Sequence, residues 1–126
     1  MNEKGSILIV DHNETLVTTI SMILNRKGYQ VETAFNGQEA IDLTKTRPFN
    51  LIFLDLKMPG MNGLDVMKHI RKIRPKANIL IMTAYGSQEY NTEAIDAGAI
   101  HVLHKPFNMV EVLSLIDEII SSDHHS

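Results

Sequence analysis

Two short apolar runs, each closed by an acid, set the pattern of the chain: Ile7-Leu8-Ile9-Val10 ends on Asp11, and Leu51-Ile52-Phe53-Leu54 ends on Asp55. A strand with one wet face alternates apolar with polar, so uninterrupted runs predict strands buried on both faces. Asn78-Ile79-Leu80-Ile81-Met82-Thr83 reads the same way, and Tyr29 to Ala34 and His101-Val102-Leu103-His104 supply two more strands. Between the strands the period changes. Leu16, Val17, Ile20, Ile23 and Leu24 recur at helical spacing from Glu14, with Asn13 as cap and Gly28 as stop. Asn36-Gly37 would suit a hairpin, but Ala40, Ile41 and Leu43 follow at helical spacing, so the pair feeds a helix that ends near Thr46, before Pro48.

Val66, Met67, Ile70 and Ile73 give a third helix one apolar face, ended by Pro75. Ala84-Tyr85-Gly86 turns into a fourth helix over about Gln88 to Ala97, stopped by Gly98, and Asn108 caps a fifth whose Met109, Val112, Leu113, Ile116, Ile119 and Ile120 form a stripe. Strands alternating with helices predict an α/β fold: a doubly wound (βα)5 domain with a five-stranded parallel sheet and helices on both faces. Spacing alone does not order the strands. Under the common order 2-1-3-4-5 the first and third strands are neighbours, and Asp11 and Asp55 converge on one crevice at the carboxyl edge, where such sheets bind ligands.

At 126 residues and 44% apolar, the chain fits one domain over residues 5–121, with 122–126 read as a flexible tail. A net charge of −3 provides no basic field for nucleic-acid phosphates, so no direct nucleic-acid contact is expected. The absence of cysteine excludes disulfides and thiolate metal sites. No run approaches the length of a membrane span and the first residues lack a signal peptide, so a cytoplasmic protein without membrane insertion is expected.

The strand ends carry the candidate chemistry: Asp11 with His12, Asp55, Thr83 and Lys105. Two carboxylates brought together repel unless a cation or proton intervenes, which argues for a divalent metal or a positive neighbour. A metal, Lys105 and the Thr83 hydroxyl are the equipment to hold a phosphoryl group, with Asp55 as the carboxylate nucleophile. Singly, each residue has an ordinary structural role: Asp11 a helix cap, Thr83 a turn residue, Lys105 a solvated charge. Their shared sheet edge is what favours function. Among the methionines, Met58 and Met61 are candidates for an exposed partner surface. His101 and His104 are expected at the surface, and no function is attached to His124 and His125.

These residues, with Met58-Pro59-Gly60-Met61-Asn62-Gly63, Met82-Thr83-Ala84, Ala97-Gly98-Ala99 and Lys105-Pro106-Phe107, resemble the receiver domain of two-component response regulators over essentially the whole chain. Such a domain is flavodoxin-like, and the chain most resembles the stand-alone receivers of chemotaxis and of the sporulation phosphorelay. The resemblance implies that Asp55 accepts a phosphoryl group from a phosphohistidine on a sensor histidine kinase or a histidine phosphotransfer protein. It further implies Mg²⁺ held by Asp11, Asp55 and the backbone carbonyl of Lys57, phosphoryl contacts from Thr83 and Lys105, and a cis Lys105-Pro106 peptide. Phosphorylation would change affinity for a downstream effector protein at the region of the fourth helix and fifth strand. The protein would be no enzyme in the metabolic sense, catalysing only its own phosphotransfer and dephosphorylation.

Two positions depart from the family pattern. The second of two adjacent acids, normally a direct metal ligand, is His12; either its ring turns aside and water fills the place, or the metal preference moves toward Mn²⁺ or another divalent ion. The aromatic switch residue three positions before the lysine is Val102, which cannot report a switch by ring burial. Both departures support an alternative, a degenerate receiver acting as a phosphorylation-independent interaction module. A hydrolase using Asp55 ranks below these, because Lys57 stands where a general acid would be needed.

Overall fold

The five apolar runs form one parallel sheet in the order β2-β1-β3-β4-β5. Along the chain the elements are β1 (Ser6–Val10), α1 (Glu14–Arg26), β2 (Gln30–Ala34), α2 (Gly37–Thr46), β3 (Leu51–Asp55), α3 (Gly63–Ile73), β4 (Ile79–Thr83), α4 (Gln88–Asp96), β5 (His101–His104) and α5 (Met109–His125). The structure is a computed structural model describing residues 5–58, 60–83 and 88–125, with the side chains at 61, 88–91 and 122–125 outside the description. The predicted turn at Ala84-Tyr85-Gly86 lies outside the described residues. Among the described residues, no helix is long and apolar enough to cross a membrane.

Successive strand residues point to opposite faces, which splits the apolar runs between two cores. Leu8, Val10, Ile52, Leu54, Ile79 and Ile81 pack with Ala40, Ile41, Val66, Met67 and Ile70 from α2 and α3. Ile7, Ile9, Leu51, Phe53, Leu80 and Met82 pack on the other face with Val17, Ile20 and Leu24 of α1 and Val112 and Ile116 of α5. This double burial is why β1, β3 and β4 show no polar interruption. It also leaves their carboxyl ends as the first positions where a polar side chain fits.

Each helix entry described in full uses asparagine. Asn13 accepts from the Leu16 amide at 3.1 Å, Asn36 from Glu39 at 2.9 Å, Asn62 from Leu64 at 2.8 Å and Asn108 from Glu111 at 2.8 Å. Such caps satisfy amides that the first helical turn leaves unpaired. They lie at the carboxyl edge of the sheet, where each strand hands over to its helix.

Three details differ from the sequence reading. The loop after β3 contains a small antiparallel ladder in which Lys57 pairs with Asn62 and Met58 with Met61. Met58 is consequently buried in the α2/α3 core instead of offering a partner surface, while the Met61 side chain lies outside the described residues. α5 continues past Ser121 to His125, since no glycine or proline intervenes to stop it.

Gly63 fixes how closely α3 approaches the end of β3. A Cβ there would lie 2.5 Å from Leu56 Cα and 2.9 Å from the Asp55 carbonyl oxygen, both backbone atoms that cannot swing aside. Gly63→Ala should therefore destabilise the fold by roughly 1–3 kcal/mol through overpacking. Urea denaturation should show a lower midpoint at unchanged slope; an unchanged midpoint would mean the approach is not tight.

Candidate functional site

Asp11 follows β1 directly, Asp55 is the last residue of β3, and β1 and β3 are hydrogen-bonded neighbours. The sheet therefore delivers both carboxylates to the same edge. Lys105 arrives from the far side, one residue beyond the edge strand β5, and its ammonium reaches back to them. Lys105 Nζ donates to Asp11 Oδ2 at 2.6 Å and lies 3.5 Å from Asp55 Oδ2. The lysine is 20% exposed, whereas the Asp11 side chain is fully buried and that of Asp55 is 4% exposed.

The remaining carboxylate oxygens are held by the backbone. Asp11 Oδ1 accepts from the Asn13 amide at 3.0 Å, and Asp55 Oδ1 accepts from the Lys57 amide at 3.1 Å. Each acid thus closes a short turn with the residue two positions on, which fixes its rotamer. Asn13, not Asp11, caps α1. The Asp-His-Asn order after β1 is the sequence signal for this division of labour.

Thr83 ends β4 and is buried at the same edge. Its strand pairs Met82 with Asp55, and its own carbonyl accepts from the Lys105 amide at 2.8 Å. The Lys105-Pro106 peptide is cis. The four strand-end residues therefore meet at one crevice: Asp11, Asp55 and Lys105 through their side chains, and Thr83 through the backbone bond to Lys105.

Burial and the neighbouring Asp11 charge raise the pKa of Asp55 above the ordinary carboxylate value, against opposing pulls from Lys105 and the Lys57 amide. One ammonium does not fully offset two buried carboxylates. His12 stands at the open side, half exposed, with Nδ1 3.6 Å from Asp11 Oδ1 and 3.7 Å from Asp55 Oδ2. Those separations are too long for hydrogen bonds. The ligand atoms of Asp11, His12 and Asp55 lie within 4.8 Å of one another, so a single divalent ion fits their donor set.

Of the other residues singled out, Val102 is half-buried on β5, paired with Ile81 and packed against the α2/α3 core. His101 is half-buried and His104 exposed, and neither belongs to the Asp11-His12-Asp55 group. Sequence reasoning missed Arg71. Its guanidinium donates to the carbonyls of Pro75 at 3.0 Å and Ala77 at 2.7 Å, and also to that of Gly98. An arginine on the inner edge of α3, with Pro75 and Gly98 ending two nearby helices, was the available signal.

Comparison with known proteins agrees with this geometry. A family model for the response regulator receiver domain matches residues 7–117. The chain is 40% identical over 113 residues to sporulation initiation phosphotransferase F of Bacillus subtilis, covering 89% of each protein. A CheY-like response regulator receiver domain protein from Methanospirillum hungatei superposes with a TM-score of 0.92 at 30% identity, over 99% of this chain and 98% of that one. Response regulator TrrA of Thermotoga maritima, solved in complex with Mg(2+)-BeF, superposes with a TM-score of 0.81 at 31% identity, over 94% and 99%. The chain belongs to the response regulator receiver domain family.

Proposed function

We propose that the protein is a phosphoacceptor whose Asp55 takes a phosphoryl group from a phosphohistidine on a sensor histidine kinase or a histidine phosphotransfer protein. The observation that carries this reading is the pair of buried carboxylates, Asp11 and Asp55, sharing the Lys105 ammonium at the carboxyl edge of the sheet. In the transfer a carboxylate oxygen of Asp55 forms a bond to phosphorus as the phosphorus–nitrogen bond of the donor breaks, and the imidazole leaves. Lys105 sits where it can pair with the phosphoryl oxygens that build up negative charge, and the Thr83 hydroxyl is assigned to one of those oxygens. The Lys57 amide keeps the Asp55 carboxylate turned toward the crevice.

Asp11, Asp55 and the Lys57 carbonyl are the proposed holders of a divalent cation, which supplies the positive charge that two carboxylates and an incoming phosphoryl group lack. The Mg²⁺ in the related Thermotoga regulator supports this assignment. An acyl phosphate at Asp55 carries extra negative charge, which Lys105 and Thr83 convert into a shift of β4, α4 and β5 and a changed affinity for a downstream effector protein. Water then returns Asp55 to its free form, so the protein turns over only its own phosphoryl group. Residues 5–121 make up this receiver, and a cytoplasmic location follows from its proposed kinase partner. His12 and Val102 favour one second reading, an interaction module that works without phosphorylation; failure to bind Mg²⁺ or Mn²⁺ at millimolar concentration, together with failure to label, would select it.

Acetyl phosphate or phosphoramidate with Mg²⁺ should add one phosphate to the wild type, seen by intact mass, and none to Asp55→Asn. Equal labelling of the two would place the acceptor elsewhere. A second outcome concerns stability in metal-free buffer. Folded Asp55 holds its proton more tightly than the unfolded chain does, so stability falls as pH rises from the ordinary carboxylate value through the raised one, and stays at the lower level above it. Asp55→Asn removes this penalty: its Tm at pH 7 should exceed that of wild type, by about 3–6 °C for each kcal/mol relieved. The difference should shrink once the pH drops below the carboxylate range; equal Tm values at pH 7 would mean that Lys105 alone balances both acids.

A further inference from the structure

His12 changes both the charge and the donor chemistry of the crevice. With Asp11, Asp55 and Lys105 facing one another, the group carries one net negative charge; a third acid in place of His12 would make it two. A hard ion such as Mg²⁺ is held by charge and by near-octahedral oxygen donors, and it loses on both counts. A borderline ion gains a nitrogen donor.

The geometry suits one such ion. His12 Nδ1 is 3.6 Å from Asp11 Oδ1 and 3.7 Å from Asp55 Oδ2. Ligand atoms about 2.0–2.2 Å from a tetrahedral ion stand roughly 3.4 Å apart, so the half-exposed imidazole needs to close by only a few tenths of an ångström. The oxygens facing it are available. Lys105 engages Asp11 through Oδ2, leaving a lone pair of Oδ1 beside the Asn13 amide, and the Lys57 amide engages Asp55 through Oδ1, leaving Oδ2 facing the ring and, at 3.5 Å and beyond hydrogen-bond range, the Lys105 ammonium. An ion bound at Asp11 Oδ1, Asp55 Oδ2 and His12 Nδ1 therefore does not displace the lysine from its 2.6 Å contact. Exposure at His12 leaves the outer coordination positions to water or phosphoryl oxygen.

We propose that His12 makes the crevice a mixed nitrogen–oxygen site that prefers a borderline first-row transition ion, of the Co²⁺ and Zn²⁺ class, over Mg²⁺. This rests on reading the crevice as the cation-assisted phosphoacceptor site, and it adds a dependence on transition-metal supply. Any carboxylate site favours Co²⁺ over Mg²⁺ to some degree. The discriminating quantity is the part of that preference that belongs to the imidazole.

The test titrates the full chain with Co²⁺ and, separately, with Mg²⁺ by calorimetry, comparing wild type, His12→Ala and His12→Asp. The paramagnetically shifted imidazole N–H resonances of the Co²⁺ form provide an independent readout. Co²⁺ affinity should fall at least about tenfold in His12→Ala, with loss of one shifted imidazole resonance; His69, His101, His104, His124 and His125 stay in place in that variant, so the lost resonance belongs to His12. In His12→Asp the Co²⁺ to Mg²⁺ preference should fall by a similar factor as Mg²⁺ binding tightens. The same Co²⁺ affinity and the same shifted resonances in wild type and His12→Ala would overturn the proposal, as would failure of wild type to bind Co²⁺. Labelling of Asp55 at saturating Mg²⁺ separates the two readings: labelling without a His12 effect removes only the metal preference, and a His12 effect without labelling removes only the phosphoacceptor role.

Discussion

Two carboxylates buried at neighbouring strand ends, with one ammonium between them, are the constraint on which the arrangement turns. Asp11 and Asp55 are brought together by backbone hydrogen bonding between β1 and β3, which depends on the apolar runs behind them and not on the acids. The sheet therefore imposes the repulsion. Lys105 reduces it, while burial and, after it, the neighbouring Asp11 charge raise the pKa of Asp55 above the ordinary carboxylate value. A site of this kind is poised for added positive charge.

The surrounding structure holds the acids in place against that repulsion. Each carboxylate is tied by an amide two residues ahead, and each of these amides belongs to the connection that follows its strand. Asn13 serves twice, giving its backbone N–H to Asp11 and its side chain to the first turn of α1. Asn62 caps α3 as Gly63 lets that helix sit against Leu56. Rotating either acid away from the crevice would break a turn and loosen a helix entry. The cost of holding like charges together is thus spread over caps and turns outside the acidic group.

Much of this was legible in the sequence because it rests on local signals. Runs such as Leu51-Ile52-Phe53-Leu54 announce a strand buried on both faces, the acid that ends two of them announces the sheet edge, and Asn13 and Asn108 announce the entries of α1 and α5. The alternation of strands and helices does not order the strands; the common doubly wound order does, and it is what brings Asp11 and Asp55 to one crevice. Less legible were features whose partners are distant or whose pattern is too short. The ladder around Met58 spans two residues on each side, below any periodicity, so burial of Met58 could not be inferred. α5 outlasts its apolar stripe because helix propagation needs only the absence of a breaker. Pro75 and Gly98 mark two helix ends, yet that pattern does not specify that the Arg71 guanidinium reaches the carbonyl of Gly98, just beyond α4.

That arginine joins the Asp55 end of the sheet to the α4-β5 side through contacts that do not involve the side chain at position 102, a valine. α3 begins at Gly63, pressed against the backbone of Asp55 and Leu56. Near its other end, Arg71 holds the carbonyl of Gly98, where the chain turns from α4 toward β5. Gly98 has φ +111°, and a Cβ there would lie 2.8 Å from Arg71 Nε, so the turn and the guanidinium are fitted to each other. At about 1.5 Å of rise per residue, α3 spans the distance between these two contacts. Contacts thus run from the Asp55 backbone to the α4-β5 turn through α3, while Thr83 and Lys105 connect the same two places through β4 and β5. These two routes of backbone and arginine contacts join the α4-β5 turn to the acidic crevice without using the side chain of Val102.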